Sequence, residues 1–154
     1  MSEPGSTEST TRPADCPEEQ AFLQLVSTTD RLSRRLVEVL KTEDLTSAQY
    51  NVLRILRGAP DGLACGEIGN RLVTRDPDIT RLLDRMEKRA LIARWREDRD
   101  RRLVMARITE EGLARLARLD APVREAHRQQ LGHLGRERVE ILMGLLRASL
   151  EGQH

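Results

Sequence analysis

The stretch from Asp76 to Arg89, DPDITRLLDRMEKR, leaves little choice but a short amphipathic helix. Ile79, Leu82, Leu83 and Met86 recur at i, i+3, i+4 and i+7, which is one apolar stripe on a helix and no stripe on a strand. The remaining face is charged or polar: Asp78, Thr80, Arg81, Asp84, Arg85 and Lys88. Proline has a fixed φ that suits the first helical position, and it pushes the residue before it out of the helical region. The sequence therefore predicts Asp76 as the cap and a helix running from Pro77. Thr80 and Arg81 then fall in the opening turn, the part that meets base edges when a helix enters a major groove. Arginine grips guanine with two hydrogen bonds, and a threonine methyl suits thymine.

The segment before this helix completes a motif. Thr46-Ser47-Ala48-Gln49 reads as a capping box opening a helix through Arg57, with Val52, Leu53, Ile55 and Leu56 inward. Gly58, Pro60 and Gly62 end it. Cys65 to Val73 reads as a short helix with Ile68 and Leu72 inward; Gly66 and Gly69 are poor helix formers that close helix packing would explain. A short helix, a tight turn at Thr74-Arg75 and a second capped helix make a helix-turn-helix.

After Arg89 the apolar period shortens toward two. Leu91, Ala93 and Trp95 alternate with Ile92, Arg94 and Arg96, and Arg102 to Ile108 reads as a returning strand. The charged tip between them, Glu97-Asp98-Arg99-Asp100-Arg101, makes the hairpin a wing.

The flanks are long helices. Asp15-Cys16-Pro17-Glu18 reads as a capping box for a helix to about Lys41, with Phe22, Leu25, Val26, Leu32, Leu36, Val39 and Leu40 as its stripe. Thr109 caps another, whose stripe is Leu113, Leu116, Leu119, Val123 and Ala126 and which Pro122 should kink. A last helix, Arg136 to Leu150, is apolar over more than one face. Residues 1–14 lack an apolar pattern and read as disordered.

The four blocks LTSAQYNVL at 45–53, PDITRLLDRME at 77–87, DRDRR at 98–102 and ITEEG at 108–112 stand in the order found in the MarR family of bacterial transcriptional regulators, which the chain resembles over roughly residues 17 to 150. The family usually has glycine where this chain has Ala90. The resemblance implies a mainly α fold with a small β-hairpin wing: a winged helix-turn-helix at 46–109, helical dimerisation regions at 17–45 and 110–152, and a tail at 1–16. It implies a homodimer on double-stranded DNA, presenting two recognition helices to an inverted-repeat operator. The apolar first and last helices support the dimer independently, because a monomer would leave their stripes in water. The implied activity is repression relieved by a small, often phenolic or anionic, molecule.

Site residues follow from these placements. Thr80 and Arg81 read bases, and Asp78 either accepts from a cytosine amino group or orients Arg81. Arg75 and Arg85 hold phosphates. Arg99 enters the minor groove from the wing tip, where Arg101 also lies. The resemblance implies that Asp100 and Arg102 stiffen the wing as a pair. Leu25, Thr29, Leu32, Tyr50 and Leu53 are candidate walls of an effector pocket.

Composition removes competing classes. Arg71 to Arg107 holds twelve basic and seven acidic residues, although the whole chain carries only +1. A basic middle between acidic ends fits a surface that meets phosphates. Phe22, Tyr50 and Trp95 are the only aromatics, too few for a single-strand stacking platform. Cys16 and Cys65 do not make a disulfide framework; Cys16 is a candidate redox sensor, against which stand the neighbouring Asp15, Glu18 and Glu19. His127, His133 and His154 match no compact metal motif. No phosphate loop, nucleophile elbow or membrane span is present in the sequence, so the expectation is a cytoplasmic, non-enzymatic regulator without cofactor. The rival readings are a winged-helix protein-interaction module without DNA binding, and a thiol-based redox regulator.

Overall fold

The structure, a computed structural model, describes residues 16–152. The element order is α1 (Pro17–Lys41), α2 (Ser47–Arg57), β1 (Leu63–Ala64), α3 (Cys65–Arg71), α4 (Ile79–Lys88), β2 (Ile92–Arg96), β3 (Val104–Ile108), α5 (Glu110–Leu131) and α6 (Gly135–Glu151), with a single 3-10 turn, Gly132–Leu134, before α6. The expected disordered tail and the Asp15 half of the first capping box lie outside the described residues. Cys16 occupies the N-cap position of α1 and makes no side-chain cap bond.

Local chemistry places the helix starts. Thr46 Oγ1 accepts from the Gln49 backbone N–H at 3.2 Å and Gln49 Oε1 accepts from the Thr46 N–H at 3.1 Å, so both halves of the box form. Thr109 Oγ1 accepts from the Gly112 N–H at 3.1 Å and opens α5. Pro122 lies inside α5 without ending it.

β2 and β3 pair antiparallel from Ile92↔Ile108 to Arg96↔Val104, which is the wing. The sequence reading missed β1. Its two residues pair with β3 at Leu63↔Ala106 and Ala64↔Met105, making a three-stranded sheet in the order β1-β3-β2. Gly62 turns the chain into β1 at φ +91°, and a Cβ there would sit 2.5 Å from the Trp95 ring.

The core is formed where α2, α4, α5 and the sheet meet. Leu40, Val52, Leu53, Leu56, Ile68, Leu82, Leu83, Met86, Leu91, Leu116 and Leu119 are all 0–1% exposed. Burying each such side chain contributes about 1.5–3 kcal/mol. The stripe expected for α5 is inward from Leu116 to Ala126, but Leu113 is 41% exposed. The two α3 glycines do not mark close packing. Gly69 faces Ile79 at ordinary contact distance, and Gly66 has open space around it.

The end of α4 is a Schellman motif. The Leu91 N–H donates to Met86 O at 3.0 Å and the Ala90 N–H to Glu87 O at 2.8 Å. This requires a left-handed residue, and Ala90 supplies it at φ 55°. Alanine is strained there by about 1 kcal/mol. Gly112 meets the opposite demand, since a Cβ would collide with the Leu91 carbonyl and would lie 2.8 Å from Ile108 Cγ1. Ala90→Gly should therefore raise unfolding free energy by about 1 kcal/mol, whereas Gly112→Ala should lower it by about 1–3 kcal/mol. Urea melts of the two variants beside the parent check both signs.

Candidate nucleic-acid interface

Helix α4 starts two residues later than the sequence reading placed it. Both aspartates can serve as caps, and the chain uses them in series. Asp76 Oδ1 accepts from the Asp78 N–H at 2.8 Å, an Asx-turn around Pro77. Asp78 is the N-cap, its Oδ1 accepting from the Arg81 N–H at 3.0 Å. Asp78 Oδ2 also lies 3.3 Å from Arg81 Nε. Of the two roles considered for Asp78, this geometry matches the one that orients Arg81.

The stripe Leu82, Leu83 and Met86 is buried while Asp78, Thr80, Arg81, Arg85 and Lys88 are exposed. Hydrophobic docking of one face thus turns the basic face outward. The two acids of the helix are held back from that face. Arg94, reaching across from β2, donates from Nη2 to Asp84 Oδ1 at 2.5 Å and to Glu87 Oε2 at 2.6 Å. Hydrogen bonding to Glu87 pushes the Arg94 guanidinium above its ordinary pKa. Sequence reasoning missed Arg94. Its place among alternating strand residues said nothing about the helix it would reach.

The wing tip is braced through the backbone. Asp100 Oδ1 accepts from the Arg102 N–H at 3.0 Å, and Arg96 Nη1 donates to the Arg101 carbonyl at 2.9 Å. Among the described residues no ion pair joins the Asp100 and Arg102 side chains, so Asp100 stiffens the turn through the Arg102 amide. Arg75, Arg85, Arg99 and Arg101 are exposed and, among the described residues, form no intrachain ion pair. Their charges are available to an external anion.

A cavity of about 520 Å³ lies between α1, α2, α5 and the turn that precedes α4. Leu36, Tyr50, Arg54, Leu72, Arg75 and His127 are among its walls. Arg54 lies over the Tyr50 ring, 5.8 Å from its centroid. Of the five pocket residues expected from sequence, Tyr50 lines this cavity. Leu53 is wholly buried in the core, Leu32 lines a separate groove between α1 and α5, and Leu25 and Thr29 are exposed on α1.

The thiols differ. Cys16 is exposed and donates to Glu18 Oε2 at 3.4 Å. Burial pushes the half-buried Cys65 thiol above its ordinary pKa, which leaves it little thiolate at neutral pH. Alkylation of Cys65 by iodoacetamide in the folded protein should be slow at pH 7 and should speed up only above the usual thiol range; mass mapping of the two cysteines over a pH series checks this. No helix among the described residues is long and apolar enough to cross a membrane.

Comparisons with known proteins bear on these features. A family model described as MarR family matches residues 43–103, which include α2, α3, α4 and the wing tip. The homoprotocatechuate degradative operon repressor of Escherichia coli is 30% identical over 108 residues, 70% of this chain and 72% of that protein. The crystal structure of a MarR transcription factor from Planctomyces limnophilus is 39% identical, with a TM-score of 0.67 over 87% of this chain and 98% of that one. A mutant MarR of Escherichia coli, solved in complex with operator DNA, is 26% identical with a TM-score of 0.79, covering 89% of this chain and 99% of that one.

Proposed function

From the premise that the chain belongs to the MarR family, we propose that it acts as a cytoplasmic homodimeric repressor whose two α4 helices enter successive major grooves of an inverted repeat. It is a DNA-binding transcriptional regulator with a winged helix-turn-helix fold. The observation that carries the site assignment is the docking of α4 by Leu82, Leu83 and Met86, which leaves Thr80, Arg81 and Arg85 in solvent on a helix whose two acids, Asp84 and Glu87, are both paired with Arg94.

Residues 46–109 form the DNA-binding part. Thr80 and Arg81 read bases, with Asp78 as the support that aims Arg81. Arg75 and Arg85 hold phosphates, and Arg99 and Arg101 reach the backbone or minor groove from the wing. Residues 17–45 and 110–152 form the dimer. Phe22, Leu23 and Val26 of α1 and Ile141, Leu145 and Leu150 of α6 are each more than half exposed in the single chain, and α6 buries none of its residues. A second copy that covers these faces removes them from water. The two recognition helices would then lie about 34 Å apart, one turn of duplex.

The cavity beside the turn before α4 is the seat for an effector. Its Arg54, Arg75 and His127 suit an anion and its Leu36, Leu72 and Tyr50 suit an apolar ring. Because Arg75, Asp76 and Pro77 form part of its wall, an occupant bears directly on the entry to α4.

Arg81→Ala should weaken binding to the operator by about 1–3 kcal/mol and relax preference at one base position. Arg85→Ala should weaken operator and random duplex alike and reduce the salt slope by about one. Gel-shift titrations on the DNA upstream of the chain's own gene, at several salt concentrations, separate the two. A protein-interaction module would show neither effect.

A further inference from the structure

The C-terminal end of α4 is tied to the elbow between α1 and α2. Arg89 Nη2 donates to the Asp44 carbonyl at 2.7 Å and to Asp44 Oδ2 at 3.0 Å, and Arg89 Nη1 donates to Gln49 Oε1 at 3.2 Å. Asp44 closes α1, in the left-handed region at φ 53°. Gln49 is a member of the α2 capping box and is 6% exposed. One guanidinium thus joins the end of α1, the start of α2 and the end of α4.

The fork geometry matters. A planar guanidinium meets acceptors on two sides at fixed angles, which an ammonium cannot do. The C-terminal carbonyls of a helix also lack intrahelical donors and carry its negative dipole end, so a cation is favoured there. The elbow between α1 and α2 takes two more cations: Arg115 Nη1 of α5 donates to the Glu43 carbonyl at 2.7 Å, and Arg118 Nε to Glu43 Oε1 at 2.8 Å. Hydrogen bonding to Arg118 holds the Glu43 carboxyl below the usual carboxylate range. The elbow is therefore anchored to α5 through Arg115 and Arg118, and α4 is anchored to the elbow through Arg89.

We propose that Arg89 is a positioning residue for DNA recognition: by latching the end of α4 to the α1–α2 elbow, it fixes the angle between the recognition helix and the dimer-forming helix, and so sets the half-site spacing the protein accepts. This rests on the dimeric reading above. Arg94 ties α4 to the wing, within the same DNA-binding part; Arg89 ties it to Gln49 of that part and also to Asp44, at the end of α1 in the other lobe. Release of the latch would let α4 and wing tilt together without unfolding either. Loss of Arg89 strands no buried group, because Gln49 Oε1 keeps the Thr46 N–H and the Asp44 side chain is 92% exposed.

The test compares the parent, Arg89→Met, Arg89→Lys and the surface control Arg128→Met on three duplexes. These carry the parent's preferred inverted repeat with its spacer unchanged, one base pair longer or one base pair shorter. Each step rotates one half-site by about 34° and moves it about 3.4 Å. The parent and Arg128→Met should lose about tenfold or more in affinity at either altered spacing. Arg89→Met should lose less than about threefold across the same three duplexes, with weaker binding at the preferred spacing, and Arg89→Lys should fall between. Circular dichroism and thermal midpoints establish that each variant is folded; if Arg89→Met does not fold, Arg89→Lys carries the comparison. If Arg89→Met weakens all three duplexes by one common factor, Arg89 is merely structural and the proposal is overturned. A parent that binds the three spacings equally overturns the dimeric reading, and the latch with it.

Discussion

The proposed reading of DNA by this chain depends on how α4 is seated. Leu82, Leu83 and Met86 are each 0–1% exposed, so rotating the helix about its axis would expose apolar surface and bury Arg81 or Arg85. Both costs run to several kcal/mol, since large side chains lose their burial and a buried guanidinium loses its water. The hydrophobic contact therefore decides which face looks outward. Polar contacts refine what it decides. Asp78 aims Arg81, Arg94 withdraws two carboxylates, and Arg89 fixes the far end.

This division of labour explains why a chain of +1 net charge can bind a polyanion. Phosphate affinity needs uncompensated cations at the contact surface and is indifferent to the total. Several arginines here are committed to partners within the chain. Arg57 Nη1 donates to both carboxylate oxygens of Asp120 at 2.9 Å, Arg118 is held by Glu43, and Arg71 is held by Glu67. Arg75, Arg85, Arg99 and Arg101 are among those that form no ion pair with the described residues and can act outward. They fall on the helix-turn-helix and the wing tip, the two elements that the matched family model spans.

What the sequence disclosed was what short-range chemistry decides. The box at Thr46 and Gln49 and the cap at Thr109 each involve residues within a few positions, and each stands where the sequence put it. The start of α4 was misplaced by two residues because Asp76 and Asp78 are equally good caps, and only the turn around Pro77 decides between them. β1 was invisible because two residues carry no period; its existence depends on β3, some forty residues on. The arginine ties were invisible for the same reason. Arg89 meets partners 40 and 45 residues away, and in a third-charged chain nothing marks one arginine as the one that reaches. Of the five residues named from sequence as pocket walls, only Tyr50 lines this cavity, because the apolar character of Leu32 and Leu53 does not say which element they will face.

The central claim is that two copies of α4, related by a two-fold axis, occupy neighbouring major grooves on one side of the duplex. Hydroxyl-radical footprinting of the upstream DNA tests it directly. The account requires two protected tracts of equal length, related by a dyad and centred about one helical turn apart, with a minor-groove protection outside each from the wing. A single unpaired tract, or uniform protection without a dyad, would contradict it.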